Sequence, residues 1–254
     1  MKLLDVEIAE NKMIANSIYL LSFESEYLAN TFKPGNFVNI LVEKDSIYPL
    51  LRRPFSISFV KENNVFIGYK VVGRGTQILS QKKKGDMINV FGPLGNSFLI
   101  DRFDGKVAVV GGGVGIFPLL SLCLELKKAG NEIDVFLGFR SKSDLFFVEE
   151  FKKVSDNLFI STDDGSIGYK GNTVEVFKTK IEEENYKVAF SCGPKPMLRF
   201  LKSLNLPFKC YVSLEEKMAC GIGACLCCSI KGKDGNMLHV CSDGPVFDIM
   251  EVEI

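Results

Sequence analysis

The hydrophobic pattern of this chain changes period once, near residue 106, and that change restricts the fold more than any other feature of its 254 residues. Before it, short β-rich runs at 3–8, 17–23, 37–42, 55–60, 65–72 and 87–91 alternate with turns. Breakers at Pro34-Gly35, Asn63-Asn64, Gly73, Gly75, Gly85 and Gly92-Pro93 fall between the runs. Short strands separated in this way predict a small antiparallel barrel. After it, strands at 107–110, 133–139, 158–161 and 187–191 alternate with helices at 117–128, 144–153, 174–183 and 196–204. Such alternation predicts a doubly wound parallel sheet. A last strand at 208–212 leads into Glu215, Glu216 and a group of cysteines. The expected division is a barrel domain at 1–101, an α/β domain at 102–213 and a small C-terminal region at 214–254.

Composition narrows the classes of function. Thirty-one basic residues balance thirty-one acidic ones, so no net positive field exists to hold a phosphate polymer or an anionic membrane. Nucleic acid is not an expected partner. Of eight cysteines, five crowd between Cys220 and Cys241, and Asp5, Glu7 and Glu10 interrupt any apolar leader. That usage fits thiols kept reduced in the cytoplasm rather than a secreted disulfide framework. Residues 107–124 carry no charge and have the nominal length of a spanning helix. Gly111-Gly112-Gly113 and Pro118 divide them into a strand, a loop and a helix, so no membrane span is expected.

Cys220, Cys225, Cys228 and Cys241 are spaced C-x4-C-x2-C, then twelve residues, then the fourth cysteine. This is the ligand run of a plant-type [2Fe-2S] cluster. Gly221 and Gly223 supply turns that let backbone N–H groups face the sulfurs. The alternative is a structural zinc site, although four-cysteine zinc sites usually bring two C-x2-C pairs and only Cys225 and Cys228 form one here. A Rieske centre needs two histidines, and His239 is the only one in the chain. Cys227 lies beside Cys228 and competes with it in principle; Cys228 preserves the spacing.

Two glycine-bearing turns lie at the ends of strands in the α/β half. Gly111-Gly112-Gly113-Val114-Gly115-Ile116 follows the first strand, where glycines let a backbone approach a pyrophosphate and a helix N-terminus offers unpaired N–H groups. The strict G-x-G-x-x-G pattern fails at Ile116, and a tight turn alone could explain the glycines. Cys192-Gly193-Pro194-Lys195-Pro196-Met197 follows the fourth strand, at the same carboxyl edge. Arg140 just past the second strand and Asp144 beyond it leave the choice between NAD and NADP open. In the barrel, Arg52-Arg53-Pro54-Phe55-Ser56 sets a planar cation beside a hydroxyl, which suits a pyrophosphate and a flavin edge, or forms an exposed basic turn. Gly73-Arg74-Gly75-Thr76 reads as a helix start and a second possible anion site.

The order R-P-F-S, G-G-G-V-G-I-F-P, C-G-P-K-P-M, E-E-K-M-A-C-G-I-G-A-C-L-C-C and V-C-S-D-G-P-V-F closely resembles that of the electron-transfer subunits of two-subunit, NAD-linked dihydroorotate dehydrogenases, in the ferredoxin reductase superfamily. The resemblance spans nearly the whole chain. It implies FAD on Arg53, Pro54, Phe55 and Ser56, with Lys70, Val71 and Val72 on the neighbouring strand and Gly75 and Thr76 at the pyrophosphate. It implies NAD rather than NADP at Gly111, Gly112, Gly113, Gly115, Gly193 and Pro194, with Cys192 near flavin and nicotinamide. It puts the cluster on Cys220, Cys225, Cys228 and Cys241. Cys227 departs from the family's glycine. The implied partner is an FMN-containing subunit that oxidises dihydroorotate, in a heterotetramer of two of each chain. Electrons would pass through the cluster to FAD and then to NAD+, in pyrimidine biosynthesis, with no general acid or base on this chain. The rival readings are the homologous subunit of a soluble hydrogenase or a ferredoxin:NADP+ transhydrogenase and, in another class, a zinc-stabilised nucleotide-binding module. Ile222, Leu226, Val246 and Phe247 are expected either on the docking face or packed against their own domain.

Overall fold

The structure is a computed structural model that describes residues 1–44 and 48–254. The first six strands, β1 (Lys2–Ala15), β2 (Ile18–Glu24), β3 (Phe37–Leu41), β4 (Arg53–Lys61), β5 (Asn64–Lys70) and β6 (Met87–Leu94), close into a barrel in the order β1-β2-β5-β4-β3-β6. Every neighbouring pair is antiparallel. Alternation along each strand fills the barrel: Val38 and Ile40 of β3 enter its core with Ile8, Leu21, Ile57 and Ile67, while Phe37 packs on the opposite side against the rest of the molecule. β1 runs seven residues past the expected end at Ile8. Register shifts after Ile8 and Met13 bend it from β6 onto β2, and the charges of Glu10 and Lys12 on its exposed stretch hide the period.

Two helices belong to this half. α1 (Glu26–Thr31) was not foreseen; it is six residues long and capped by the Ser25 hydroxyl, which accepts from the Leu28 N–H at 3.3 Å. α2 (Arg74–Gln81) begins at the Gly73-Arg74-Gly75-Thr76 turn, which the Thr76 hydroxyl secures by accepting from the N–H groups of Val72 and Gly73 at 3.0 and 3.2 Å.

The second half contains β7 (Lys106–Gly112), α3 (Phe117–Lys128), β8 (Ile133–Phe139), α4 (Val148–Val154), β9 (Asn157–Thr162), β10 (Tyr169–Lys170), α5 (Thr173–Glu183), β11 (Tyr186–Cys192), α6 (Lys195–Ser203) and β12 (Lys209–Ser213). The sheet order is β10-β9-β8-β7-β11-β12, all parallel. β7 is central and buried on both faces, which is why its sequence is a continuous apolar run. One expectation is corrected: the helix placed at 144–153 begins only at Val148. Phe147 sits in the left-handed region at φ 58°, and both Phe146 and Phe147 turn inward onto Phe117, so the chain packs two aromatic rings before the helix can start. Among the described residues no helix is long and apolar enough to cross a membrane.

Beyond β12, β13 (Ser229–Lys231) and β14 (Met237–His239) form a hairpin. β15 (Val246–Asp248) then adds antiparallel to β12 at the edge of the sheet. The same segment is tied to the barrel, because Asn96 accepts from the Val246 N–H at 2.9 Å and donates to the Val246 carbonyl at 2.8 Å. The two larger units meet where Gly68 of β5 lies flat on the Phe117 ring. A Cβ there would overlap that ring, which is itself clamped by Phe146 with centroids 4.7 Å apart. Gly68→Ala is therefore expected to lower stability by about 1–3 kcal/mol, the usual penalty of overpacking a filled core. Urea unfolding would measure it, and an unchanged midpoint would contradict this packing.

Candidate functional site

Three sites adjoin along the seam. The first is a cleft of about 340 Å³ between the barrel and the α/β unit. Arg53, Pro54, Phe55 and Ser56 of β4, Lys70, Val72 and Thr76 line one wall. The other wall is Val114, Phe117 and the segment from Ser213 to Glu216, with Met218 and Pro245. Gly75 and Val71 do not face the cleft. Gly75 lies beneath Arg53, where a Cβ would stand 2.5 Å from its Nε, and Val71 donates its N–H to the Ser17 carbonyl at 2.8 Å. An apolar slot with a guanidinium and an ammonium at its rim has the chemistry to hold a planar ring system joined to a pyrophosphate.

Glu215 lines this cleft and is open to water there, yet protein surrounds it on most sides, and that burial raises its carboxyl above the ordinary range. The sequence marks Glu215 and Glu216 as the entry to the cysteine segment but assigns neither them nor Ser213 and Leu214 to a cleft. The signal was available, since residues 213–216 follow a parallel strand at the carboxyl edge, where open α/β sheets bind ligands.

The second site, about 360 Å³, opens along that carboxyl edge and shares Lys70 and Val114 with the first. Gly112, Gly113 and Pro194 line it, as do Arg140, Asp144, Asp163, Asn172 and Thr173. Gly111, Gly115, Cys192 and Gly193 lie behind the lining. A Cβ at Gly115 would stand 2.5 Å from the Cys192 carbonyl oxygen and 2.6 Å from the Gly193 Cα, so this glycine lets the two loops touch. The Cys192 side chain is buried, and burial pushes its thiol well up. A dinucleotide fits this edge: the glycines leave room for close backbone approach, and the buried Thr173 hydroxyl has no partner among the described residues.

The third site is the cysteine segment. Cys228 and Cys241 are 2 % exposed, whereas Cys225 and Cys227 face solvent. The four thiols at the predicted ligand positions stand as two pairs. In the first, the Cys220 N–H donates to Cys225 Sγ at 3.5 Å and the Cys225 N–H to Cys220 Sγ at 3.4 Å. In the second, the Cys241 N–H donates to Cys228 Sγ at 3.4 Å. The N–H groups of Ile222 and Gly223 reach Cys220 Sγ and Cys241 Sγ at 3.4 and 3.1 Å. Gly221 and Gly223 hold φ of 76° and 81°, the left-handed turns that aim these donors inward. Among the described residues no three cysteine, histidine or acidic side chains converge as the ligands of a single ion would. Two thiol pairs under backbone N–H groups fit a two-metal sulfide cluster better than one tetrahedral zinc.

Of the apolar residues considered for docking, Ile222 and Leu226 are exposed, at 47 % and 61 %. Val246 is instead buried in the core and Phe247 half-buried against Gly244, because β15 folds back onto the sheet. A larger groove of about 1020 Å³ elsewhere on the seam, between Lys33-Pro34, residues 96–100, α3 and 246–248, is lined by Asp243, Val246 and Phe247 of the V-C-S-D-G-P-V-F run but by none of the residues expected to hold the cluster, FAD or NAD.

Residues 215–253 match the family model described as the iron-sulfur cluster binding domain of dihydroorotate dehydrogenase B, and residues 109–203 match that of the oxidoreductase NAD-binding domain. The chain is 40% identical to a "Dihydroorotate dehydrogenase B (NAD(+)), electron transfer subunit" from Fusobacterium nucleatum over 100% of both chains. It is 39% identical to the protein of the same description from Geobacillus kaustophilus over 96% of each. Among solved structures, a chain of the NADH-dependent reduced ferredoxin-NADP oxidoreductase superposes with a TM-score of 0.90 at 35% identity, covering 98% of this chain and 89% of that one. Phthalate dioxygenase reductase shares the fold, with a TM-score of 0.66 at 19% identity over 93% of this chain and 75% of that one.

Proposed function

The chain belongs to the electron-transfer subunits of NAD+-dependent dihydroorotate dehydrogenase B, and we propose that its three adjoining sites hold an iron–sulfur cluster, FAD and NAD+ in that order of electron flow. It is an oxidoreductase subunit and works with a catalytic dihydroorotate dehydrogenase subunit. Nicotinamides exchange electron pairs as hydride, a two-iron cluster exchanges single electrons, and a flavin between them converts one into the other. The observation that carries the reading is the sharing of Lys70 and Val114 between the first two clefts, together with the descent of the first cleft's wall, from Ser213 to Met218, into the cysteine segment.

Each residue then has a stated task. Cys220, Cys225, Cys228 and Cys241 are assigned to the cluster, two to each iron, and Cys227 is left outside it. Arg53 and Thr76 anchor the flavin's pyrophosphate end, and Pro54, Phe55, Ser56, Lys70 and Val72 border its rings. Gly112, Gly113 and Pro194 border the dinucleotide, which Gly111, Gly115, Cys192 and Gly193 support from behind. The chain divides into units at 1–101, 102–213 and 214–254, and acts in the cytoplasm with an FMN-bearing partner, two of each chain. No residue here is assigned proton chemistry on dihydroorotate.

A guanidinium bonded to phosphate is worth about 1.5–3 kcal/mol, so Arg53→Ala should weaken FAD binding by roughly 10- to 100-fold. Titrating apoprotein with FAD would measure the change. Anaerobic isolation of the native complex tests the whole reading. A partner that carries FMN and reduces NAD+ with dihydroorotate supports it, and a partner with nickel or several clusters overturns it.

A further inference from the structure

β3 presents one polar side chain to the cysteine segment. Phe37 and Asn39 share the face of β3 that points away from the barrel core, since Val38 and Ile40 occupy the other. Asn39 is completely buried, and neither its Nδ2 nor its Oδ1 has a hydrogen-bond partner among the described residues. Its backbone pairs with Pro54 of β4 and Phe91 of β6, and its carbonyl accepts from Arg52 Nη1 at 3.2 Å. The side-chain amide abuts Gly221. A Cβ added there would collide first with Asn39 Nδ2 and then with Leu94. Gly221 directly follows Cys220, so a sealed, unpaired amide from the flavin-side barrel points into the loop assigned to the cluster.

An orphaned buried amide costs about 1–3 kcal/mol, and native proteins carry such a group where something else uses it. The N–H groups already on the cysteine sulfurs come from the segment's own backbone. Thiolate and sulfide sulfur act here as acceptors, so the amide's two N–H donors are the groups the site can use. Hydrogen bonds to cluster sulfur stabilise the more negative, reduced state and raise its potential. We infer that the Asn39 side-chain amide donates to a sulfur of the bound cluster on the Cys220 side, and so sets the cluster's reduction potential from the flavin domain. Because Asn39 pairs with Pro54 of the R-P-F-S strand, the same residue fixes the cluster loop against the flavin cleft.

This inference rests on the cluster assignment above, and its test separates the two. Holoprotein and its Asn39→Leu variant would be titrated potentiometrically under argon, following the cluster by electron paramagnetic resonance and FAD by absorbance. The cluster midpoint of N39L should shift to a more negative value while the FAD midpoint stays in place. Coincident cluster midpoints overturn the inference and leave the cluster assignment intact, whereas absence of any two-iron signal in the unaltered protein removes the assignment itself. Should N39L fail to fold, the unaltered protein labelled with ¹⁵N-asparagine decides: pulsed resonance of the reduced cluster should show a ¹⁵N coupling, and a spectrum without one overturns the inference.

Discussion

Cys225→Ser is expected to abolish electron transfer to the catalytic subunit while leaving FAD bound and NADH-to-dye activity largely unchanged. The separation follows from where the loop lies. Neither cleft is lined by any residue from 220 to 228, so losing the cluster removes no wall from the flavin or nucleotide site. Cys225 is exposed; serine retains the backbone N–H that reaches Cys220 Sγ, and its hydroxyl oxygen replaces the Sγ that accepts from the Cys220 N–H at 3.5 Å. Loss of a group that merely supports a metal ligand costs roughly 10- to 100-fold, so removal of a ligand itself should exceed that. The assay pairs NADH-dependent dye reduction with dihydroorotate-dependent NAD+ reduction in the reconstituted complex. If dye reduction disappears with FAD still bound, the order of the three sites is wrong.

Gly115→Ala should give the opposite pattern. The added carbon would stand 2.5 Å from the Cys192 carbonyl oxygen, and backbone cannot rotate aside as a side chain can. β7 and β11 are paired up to Gly111 and Cys192, so the strain goes into the two loops that follow them. Their separation moves Gly112 and Gly113 relative to Pro194, across the nucleotide cleft. A displacement near 1 Å can cost about 100-fold in rate, and a drop of that order in kcat/KM for NADH is expected, with a stability loss of about 1–3 kcal/mol. The visible absorbance of FAD and cluster should persist. Normal NADH kinetics would show that these loops do not position the dinucleotide.

The barrel was legible because Val38, Ile40, Ile57 and Ile67 repeat at the strand period. The parallel sheet was legible because strands alternate with helices beyond residue 106, and β7 is apolar from Val107 onward. What escaped has physical causes. α1 is shorter than a periodic signal, and Phe146 and Phe147 delay α4 through tertiary packing that overrides local preference. Val246 reads equally as a docking or a core residue until β15 is known to return to the sheet. Asn39 looks like an ordinary strand residue, since its isolation depends on Gly221, which lies far along the chain. The cysteine run was readable because ligand spacing is local. The pairing of Cys228 with Cys241 needed the fold, because twelve residues and the β13–β14 hairpin intervene.

The central claim is that four thiols of this chain hold a two-iron cluster beside a flavin. Low-temperature electron paramagnetic resonance of anaerobically purified, dithionite-reduced protein, with iron, sulfide, zinc and FAD counted on the same sample, tests it most directly. The account predicts a two-iron signal of one spin per chain, with two irons, two sulfides and one FAD. A sample without that signal, carrying one zinc in place of iron, would contradict it.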